Sequence, residues 1–443
     1  MTDLVRYRNI WQVSYPIILG GVAQNIVNVT DTAFLGRVNL VALGAAGNAG
    51  IFYFVLMVVG LGFSIGCQII MGRRNGEKNY AVIGELFSQG MIFLLPLALL
   101  LFFFVQFVSP LILAQVTASP DILAASNEYL GFRSYGILFA FANFIFIAFY
   151  TGITKTKVLT YATFLQAGVN VILDYALIFG HFGLPEMGIK GAALASVFSE
   201  LTALGFFLYY SRYRINYKQY ALFQWVGLKG KKVYKLVKVS SPVMLQNFIA
   251  LGAWLVFFMI VEQMGEKELA ASHIVRSIYM VLMIPLFGFS SATSTLVSNL
   301  IGEGAISMVS TLVKRIMFLS LTCTLVFLPV ILLFPDQMSG IYTNDPSLIK
   351  ACRPVLYVIS AAMFLFSVAY VSFSAVVGTG KTKISLLIEF ISISIYLLGA
   401  YWIAVVSDAS LPLAWMSEFI YFGLMGGLAS LYLKFGNWKS TVL

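Results

Sequence analysis

Asp31 and Asp174 each stand inside a run of apolar residues long enough to cross a bilayer. An acid in such a run is costly unless it is paired, neutralised or bathed by water. Asp31 lies in the stretch 10–35 and Asp174 in 158–180. Asn170 precedes Asp174 by four residues, which puts both side chains on one helix face. Gln24, seven residues before Asp31, shares that residue's stripe. Gln24, Asp31, Asn170 and Asp174 together offer two acids and neutral oxygen donors, the set that a proton or sodium site needs. Two neighbouring carboxylates in a medium of low dielectric do not both ionise cheaply, so one of them keeps an exchangeable proton. The basic residue near them is Arg37, at the rim of its span, so an ordinary Asp–Arg structural pair is disfavoured.

Glu200, Glu389 and Arg276 also fall within apolar runs. They read as substrate-cavity or inter-helix hydrogen-bonding residues, with Arg276 facing one of the acids or an anionic group. Arg133, near the start of its span, reads as structural. Pro16 lies on the segment that carries Asp31. Its missing N–H frees a backbone carbonyl at membrane depth, which suits a hinge that couples protonation to movement.

These residues must be positioned by membrane helices. Apolar runs between polar breaks place spans near 10–35, 46–71, 81–107, 127–151, 158–180 and 188–211, and a second set near 237–263, 270–298, 309–334, 350–377, 383–406 and 411–433. The expected fold is all-α, with twelve transmembrane helices. One set of loops, counted with the central connector, holds twenty-one basic residues, among them Arg73, Lys155, Lys232 and Lys381; the opposite loops hold five. The Lys/Arg bias of cytoplasmic loops then puts both termini and the connector in the cytoplasm, in a multi-pass protein of the inner (plasma) membrane. Asp31 and Asp174 sit in outward-running spans, about six residues before their outer ends, and so at similar depth.

The chain repeats itself. Residues 62–77 align without a gap on 288–303, an offset of 226. The same offset carries Gly152–Lys157 onto Gly378–Lys383, carries Thr117, Pro120 and Ala125 onto Thr343, Pro346 and Ala351, and carries Pro16 onto Pro242. Six spans is an even number, so the halves are parallel six-helix lobes related by a pseudo-twofold axis along the membrane normal. The lobes read as 1–211 and 237–443, joined by a basic cytoplasmic connector at 212–236. At this offset Asp31, Asn170 and Asp174 fall on Phe257, Tyr396 and Ala400, so the scaffold is duplicated and the carboxylate pair is not.

Composition excludes most other classes. The chain is 60% hydrophobic and 10% charged, with a mean hydropathy of +0.90, against roughly 25% charged residues in a soluble domain. The net charge of +10 is spread over loops, not gathered into a nucleic-acid patch. Cys67, Cys323 and Cys352 lie far apart and the histidines are His181 and His273, which argues against a disulfide framework and a zinc site. Ala375–Thr382 fits a loose phosphate-loop pattern, but it ends an apolar span and its repeat partner lacks the glycine–lysine core; it reads as a cytoplasmic turn.

With this order of elements the chain resembles the multidrug and toxic compound extrusion (MATE) transporters. The resemblance rests on Pro16, Gln24 and Asp31 in the first span and Asn170 and Asp174 in the fifth. Leu269–His273 and Gly188–Ser196, which open the eighth and sixth spans, also carry it. It implies efflux of amphipathic organic cations in exchange for protons or sodium ions by alternating access, with no enzymatic step and no cofactor. The aspartates of the N-terminal lobe would form the cation site, where Asp31, Asn170 and Asp174 would hold sodium if sodium is the ion. Expected partners are cationic small molecules and membrane lipids, with no nucleic acid, around a monomer. Some branches carry a glutamate early in the seventh span, where this chain has Gln246 and Asn247; that departure favours N-lobe proton coupling. The alternative is a lipid-linked oligosaccharide flippase of the same broader superfamily, whose cavity would be lined with Arg or Lys for a pyrophosphate.

Overall fold

A computed structural model describes residues 3–224 and 226–439, and all regular structure among them is helical. One residue of the connector and four of the C-terminal half lie outside the described residues. The first half comprises α1 (Tyr7–Val38), α2 (Leu40–Gly76), α3 (Tyr80–Phe107), α4 (Ser109–Val116), α5 (Pro120–Arg133), α6 (Tyr135–Gly152), α7 (Lys157–Phe179) and α8 (Ile189–Tyr213). The second comprises α9 (Gly230–Glu262), α10 (Glu266–Gly302), α11 (Val309–Leu333), α12 (Pro335–Gly340), α13 (Pro346–Gly378), α14 (Thr382–Tyr401), α15 (Leu411–Trp415) and α16 (Ser417–Phe435). A short π-helical turn, Trp402–Val406, extends α14.

Among the described residues, eleven helices are long and apolar enough to cross a membrane. The twelfth of matching length, α1, has 32 residues but is diluted by Gln12, Gln24, Asn25, Asn28 and Asp31. The expected span at 127–151 is not one helix: α5 ends at Arg133 and α6 begins at Tyr135. Ser134 sits at the break, its hydroxyl donating to Gly131 O at 2.9 Å and accepting from Gln106 Nε2 at 2.8 Å. A side chain that bonds to nearby backbone offers the chain an alternative to a continuous helix.

The chain divides into two compact units. The N-terminal unit is Leu19–Met244; the C-terminal unit is Met1–Ile18 together with Leu245–Leu443. The boundaries fall within α1 and α9 and are themselves 226 residues apart. Each unit repeats the other's local chemistry. Ser119 caps α5 ahead of Pro120, and Asp345 caps α13 ahead of Pro346. A side-chain oxygen at the N-cap satisfies one of the free N–H groups of the first turn, and proline at the first helical position wants none.

Close approach of helices is duplicated in the same way. A Cβ on Gly62 would lie 2.6 Å from Met244 Cα, in the N-terminal unit. A Cβ on Gly288 would lie 3.2 Å from Ile18 N, in the C-terminal unit. Gly62 and Gly288 are repeat partners, and so are Met244 and Ile18. Between apolar helices in lipid, packing is driven by such small-residue contacts. The connector is tied to its own unit by Gln89 on α3, whose side chain accepts from Lys229 N at 2.8 Å and donates to Gly227 O at 3.1 Å. Glu85, one turn away, takes both Lys229 and Lys232.

The glycine contacts carry an expected outcome. Gly62→Val and Gly288→Val each force backbone apart and should lower stability by about 1–3 kcal/mol, read as a drop in the temperature at which the detergent-purified protein loses its monodisperse chromatographic peak. Gly47→Val is the control, since a Cβ there meets nothing within 4 Å. Equal loss in all three variants would contradict the packing role.

Candidate functional site

In the N-terminal unit α1 and α7 bring Asp31, Asn170 and Asp174 together. Asn170 is 1% exposed and Asp174 0%, on the same buried face of α7. The carboxyl groups of Asp31 and Asp174 adjoin each other within hydrogen-bonding reach. Yet Asp31 Oδ1, both Asp174 oxygens and both polar atoms of Asn170 are buried with no hydrogen-bond partner among the described residues. Ionised carboxylates are acceptors only, so neither can satisfy the other unless a proton lies between them. A buried group left without a partner costs about 1–3 kcal/mol, and native interiors hold few of them. Five such atoms at one place leave donor and acceptor capacity that no described side chain meets.

A second buried acid in the same unit is handled differently. Glu200 on α8 receives the guanidinium of Arg133 through Nη2–Oε1 at 2.6 Å and Nη1–Oε2 at 3.0 Å. Arg133 lies over the ring of Tyr53 at 4.1 Å, and Asn143 Nδ2 donates to the Glu200 carbonyl at 2.9 Å. The paired, bidentate geometry neutralises both charges locally. Arg133 is the cation whose charge reaches Asp31, but its hydrogen bonds go to Glu200.

The other residues singled out by sequence do not join this cluster. Gln24 lies along α1 on the expected stripe but is exposed. Pro16 leaves α1 unbroken, and it stands two residues before the boundary between the units, as Pro242 does in α9. Glu200 is taken up by Arg133 and is not a free cavity acid. Glu389, on α14 in the C-terminal unit, accepts from Tyr421 OH at 2.7 Å. Arg276, on α10, lies 5.1 Å over the ring of Phe258 with its Nε unpartnered, and forms no ion pair among the described residues. No group of three or more His, Cys, Asp or Glu side chains that could hold a metal ion occurs among the described residues. Two carboxylates with the Asn170 carbonyl still form a hard oxygen set of the kind a light cation accepts.

The repeat positions of the cluster also stand together. Phe257 stacks on Tyr396 with ring centroids 5.8 Å apart, and Ala400 is fully buried. Sequence reading missed Glu418, which accepts from Tyr396 OH at 3.2 Å and lies 3.5 Å from Tyr279 OH. An acid inside the final apolar run was the available clue. Tyr53, buried, and Tyr129, partly buried, beside the first-unit charges were also missed, because a tyrosine in an apolar run is unremarkable until its neighbours are known.

Comparison with known proteins follows the duplicated geometry. The family profile described as MatE matches twice, over residues 16–176 and 242–402, with both limits 226 residues apart. A probable multidrug resistance protein NorM of Thermotoga maritima is 27% identical over 419 residues, covering 94% of this chain and 86% of the relative. Among solved structures, the outward-facing conformation of a multidrug resistance MATE family transporter of the MOP superfamily superposes with a TM-score of 0.88 at 17% identity, over 97% of this chain and 95% of the other. A MOP superfamily transporter from Pyrococcus furiosus, described as having a binding pocket of reverse polarity, superposes with a TM-score of 0.89 at 18% identity, over 98% and 96%. Both superpositions establish the two-lobed helical fold.

The two kinds of buried acid should respond oppositely to neutralisation. Glu200→Gln strands a buried guanidinium and should destabilise the protein by about 3–5 kcal/mol. Asp31→Asn and Asp174→Asn remove a charge with no counter-ion and should leave thermal stability unchanged or raised. A large loss of stability in Asp174→Asn, with none in Glu200→Gln, would reverse the assignment.

Proposed function

The chain belongs to the MatE family, a family of transporters and not of enzymes, and from that premise we propose that it exports amphipathic organic cations in exchange for protons, with Asp31 and Asp174 as the exchange site. The observation that carries this reading is the adjoining, unpartnered pair of carboxyls on α1 and α7. A proton entering from outside forms an O–H bond on one carboxyl and lets it donate to the other. Release of that proton to the cytoplasm leaves a negative site that attracts the next cation. Asn170, four residues before Asp174, orients the pair and offers its amide to whichever oxygen remains ionised.

Alternating access of the two repeats is the transport cycle this reading requires. Pro16 and Pro242, each beside a boundary at which a helix passes from one unit to the other, are the proposed hinges. In this reading the chain is a plasma-membrane monomer with both termini in the cytoplasm, an orientation that the twenty-one to five distribution of basic residues supports. Protons are favoured over sodium because the carboxyl–carboxyl contact is satisfied by a proton without further ligands. A cation in the substrate site would be held by apolar burial worth about 25 cal/mol per Å² and by cation–π contacts of about 0.5–2 kcal/mol. Such interactions tolerate many shapes. A flippase for an anionic pyrophosphate lipid is disfavoured, because it needs free basic groups in the cavity, and Arg133 is committed to Glu200.

The test is drug accumulation in a bacterial host stripped of its own efflux pumps. Expression should lower accumulation of ethidium and of a fluoroquinolone. Asp31→Asn and Asp174→Asn should each reduce the efflux rate by about tenfold or more at unchanged expression, and the double variant should be no worse than either single one. Full efflux in Asp174→Asn would remove the pair from the mechanism. Unchanged accumulation of every cationic probe, with a cell-envelope defect on gene deletion, would favour the flippase.

A further inference from the structure

We propose that Glu418 and Glu389, held by tyrosine hydroxyls in the C-terminal unit, form a second proton-exchange site, so that each half of the duplicated chain carries one. The proposal rests on the proton-coupled reading of the first half, and adds to it a site that the repeat alignment alone does not reveal.

Tyr396 stands at the position of Asn170, and Tyr279 at that of Tyr53. Both hydroxyls point to one carboxyl: Tyr396 OH donates to Glu418 Oε1 at 3.2 Å, and Tyr279 OH lies 3.5 Å from Oε2. An acid therefore does face the second half's version of the site, delivered by α16 instead of α1 and α7. Glu389, seven residues before Tyr396 on α14, accepts from Tyr421 OH at 2.7 Å, and the rings of Tyr396 and Tyr421 lie 5.5 Å apart. The two carboxyls are thus joined through one tyrosine cluster.

Among the described residues neither carboxyl has an ion-pair partner. The ion pair of the first half has no counterpart, since Ile359 stands at the position of Arg133 and Gly426 at that of Glu200. The groups facing the cluster are Tyr279 from α10, Tyr370 from α13, Tyr396 from α14 and Tyr421 from α16. On α10, His273 is stacked on Phe258 at 4.7 Å and Arg276 lies over the same ring. Lys383 lies at the start of α14 and is exposed, as is Glu262 at the end of α9. Glu389 is 3% exposed and Glu418 5%. A second observation points to a ligand. Glu389 Oε2 and Ser392 Oγ, one turn apart on the buried face of α14, both lack a partner among the described residues, and Ser392 is fully buried. Tyrosine hydroxyls donate one hydrogen each, so they leave acceptor capacity on both carboxyls that an exchangeable proton would fill.

This is not the α9 position at which some branches of the family carry a glutamate. Gln246 and Asn247 stand there, and Gln246 Oε1 accepts from Ser385 Oγ at 3.2 Å.

The test uses infrared titration of the full-length protein in detergent, reading the carbonyl band of protonated carboxyl groups. The background is Asp31→Asn/Asp174→Asn, so that the first site is silent. A titrating component of that band, beyond the one that the exposed carboxyls give in every variant, should remain there, shrink in Glu418→Gln and in Glu389→Gln, and be lost when both are changed. Tyr421→Phe, which keeps both acids, should shift the band without removing it. On the wild-type aspartates, Glu418→Gln should lower the number of protons exchanged per substrate by about half. No such component in the silent background, or one indifferent to both glutamate changes, would overturn the second site and leave the first untouched. A wild-type exchange ratio in the Asp31→Asn/Asp174→Asn protein would instead overturn the first.

Discussion

Removing a carboxylate from water costs several kcal/mol, and a chain this apolar meets that cost at every acid inside its helices. The remedies differ from place to place. Asp336, on α12 outside the spans, stays in contact with water and needs none; the fork of Arg353 holds its carboxyl below the usual range. Glu200 has Arg133 in a bidentate pair. Glu418 and Glu389 have tyrosine hydroxyls and no cation. Asp31 and Asp174 have each other. A satisfied pair fixes structure, whereas an acid without a fixed counter-ion is free to exchange what it binds. The division of labour among buried acids follows from which of them were given an arginine.

Duplication explains where these differences sit. Gly62 against Met244 and Gly288 against Ile18 reproduce one helix crossing twice, and Ser119–Pro120 and Asp345–Pro346 reproduce one helix start. The scaffold positions kept their small and capping residues because backbone contact leaves no room for others. The polar positions differ between the halves: Tyr396 stands opposite Asn170, Ile359 opposite Arg133, and the second half has a buried acid on α16 where the first has one on α7. A scaffold so constrained keeps the same places available in both halves while the side chains that fill them change.

The fold and the repeat were legible in sequence because apolar length and a constant offset survive without tertiary information. The cluster of Asp31, Asn170 and Asp174 was legible for a related reason, since an acid in an apolar run stands out and four residues on a helix make one face. The break at Ser134 was not, because it depends on Gln106 arriving from α3. Nor was the pairing of Arg133 with Glu200, which joins residues 67 apart along the chain. Glu418 carries the same signal, an acid in an apolar run, but its tyrosine partners come from α14 and α10, far from it along the chain. Gln24 matched the stripe of Asp31 but is exposed, since a helical period says which residues align and not how deep each is buried.

The central claim is that adjoining carboxyls on α1 and α7 exchange a proton for an organic cation. Proteoliposomes test it most directly, loaded so that either a proton gradient or a sodium gradient is imposed alone while ethidium flux is followed. The account expects flux under the proton gradient without sodium, loss of that flux in Asp174→Asn, and none under the sodium gradient at constant pH. Flux driven by sodium alone, or undiminished proton-driven flux in Asp174→Asn, would contradict it.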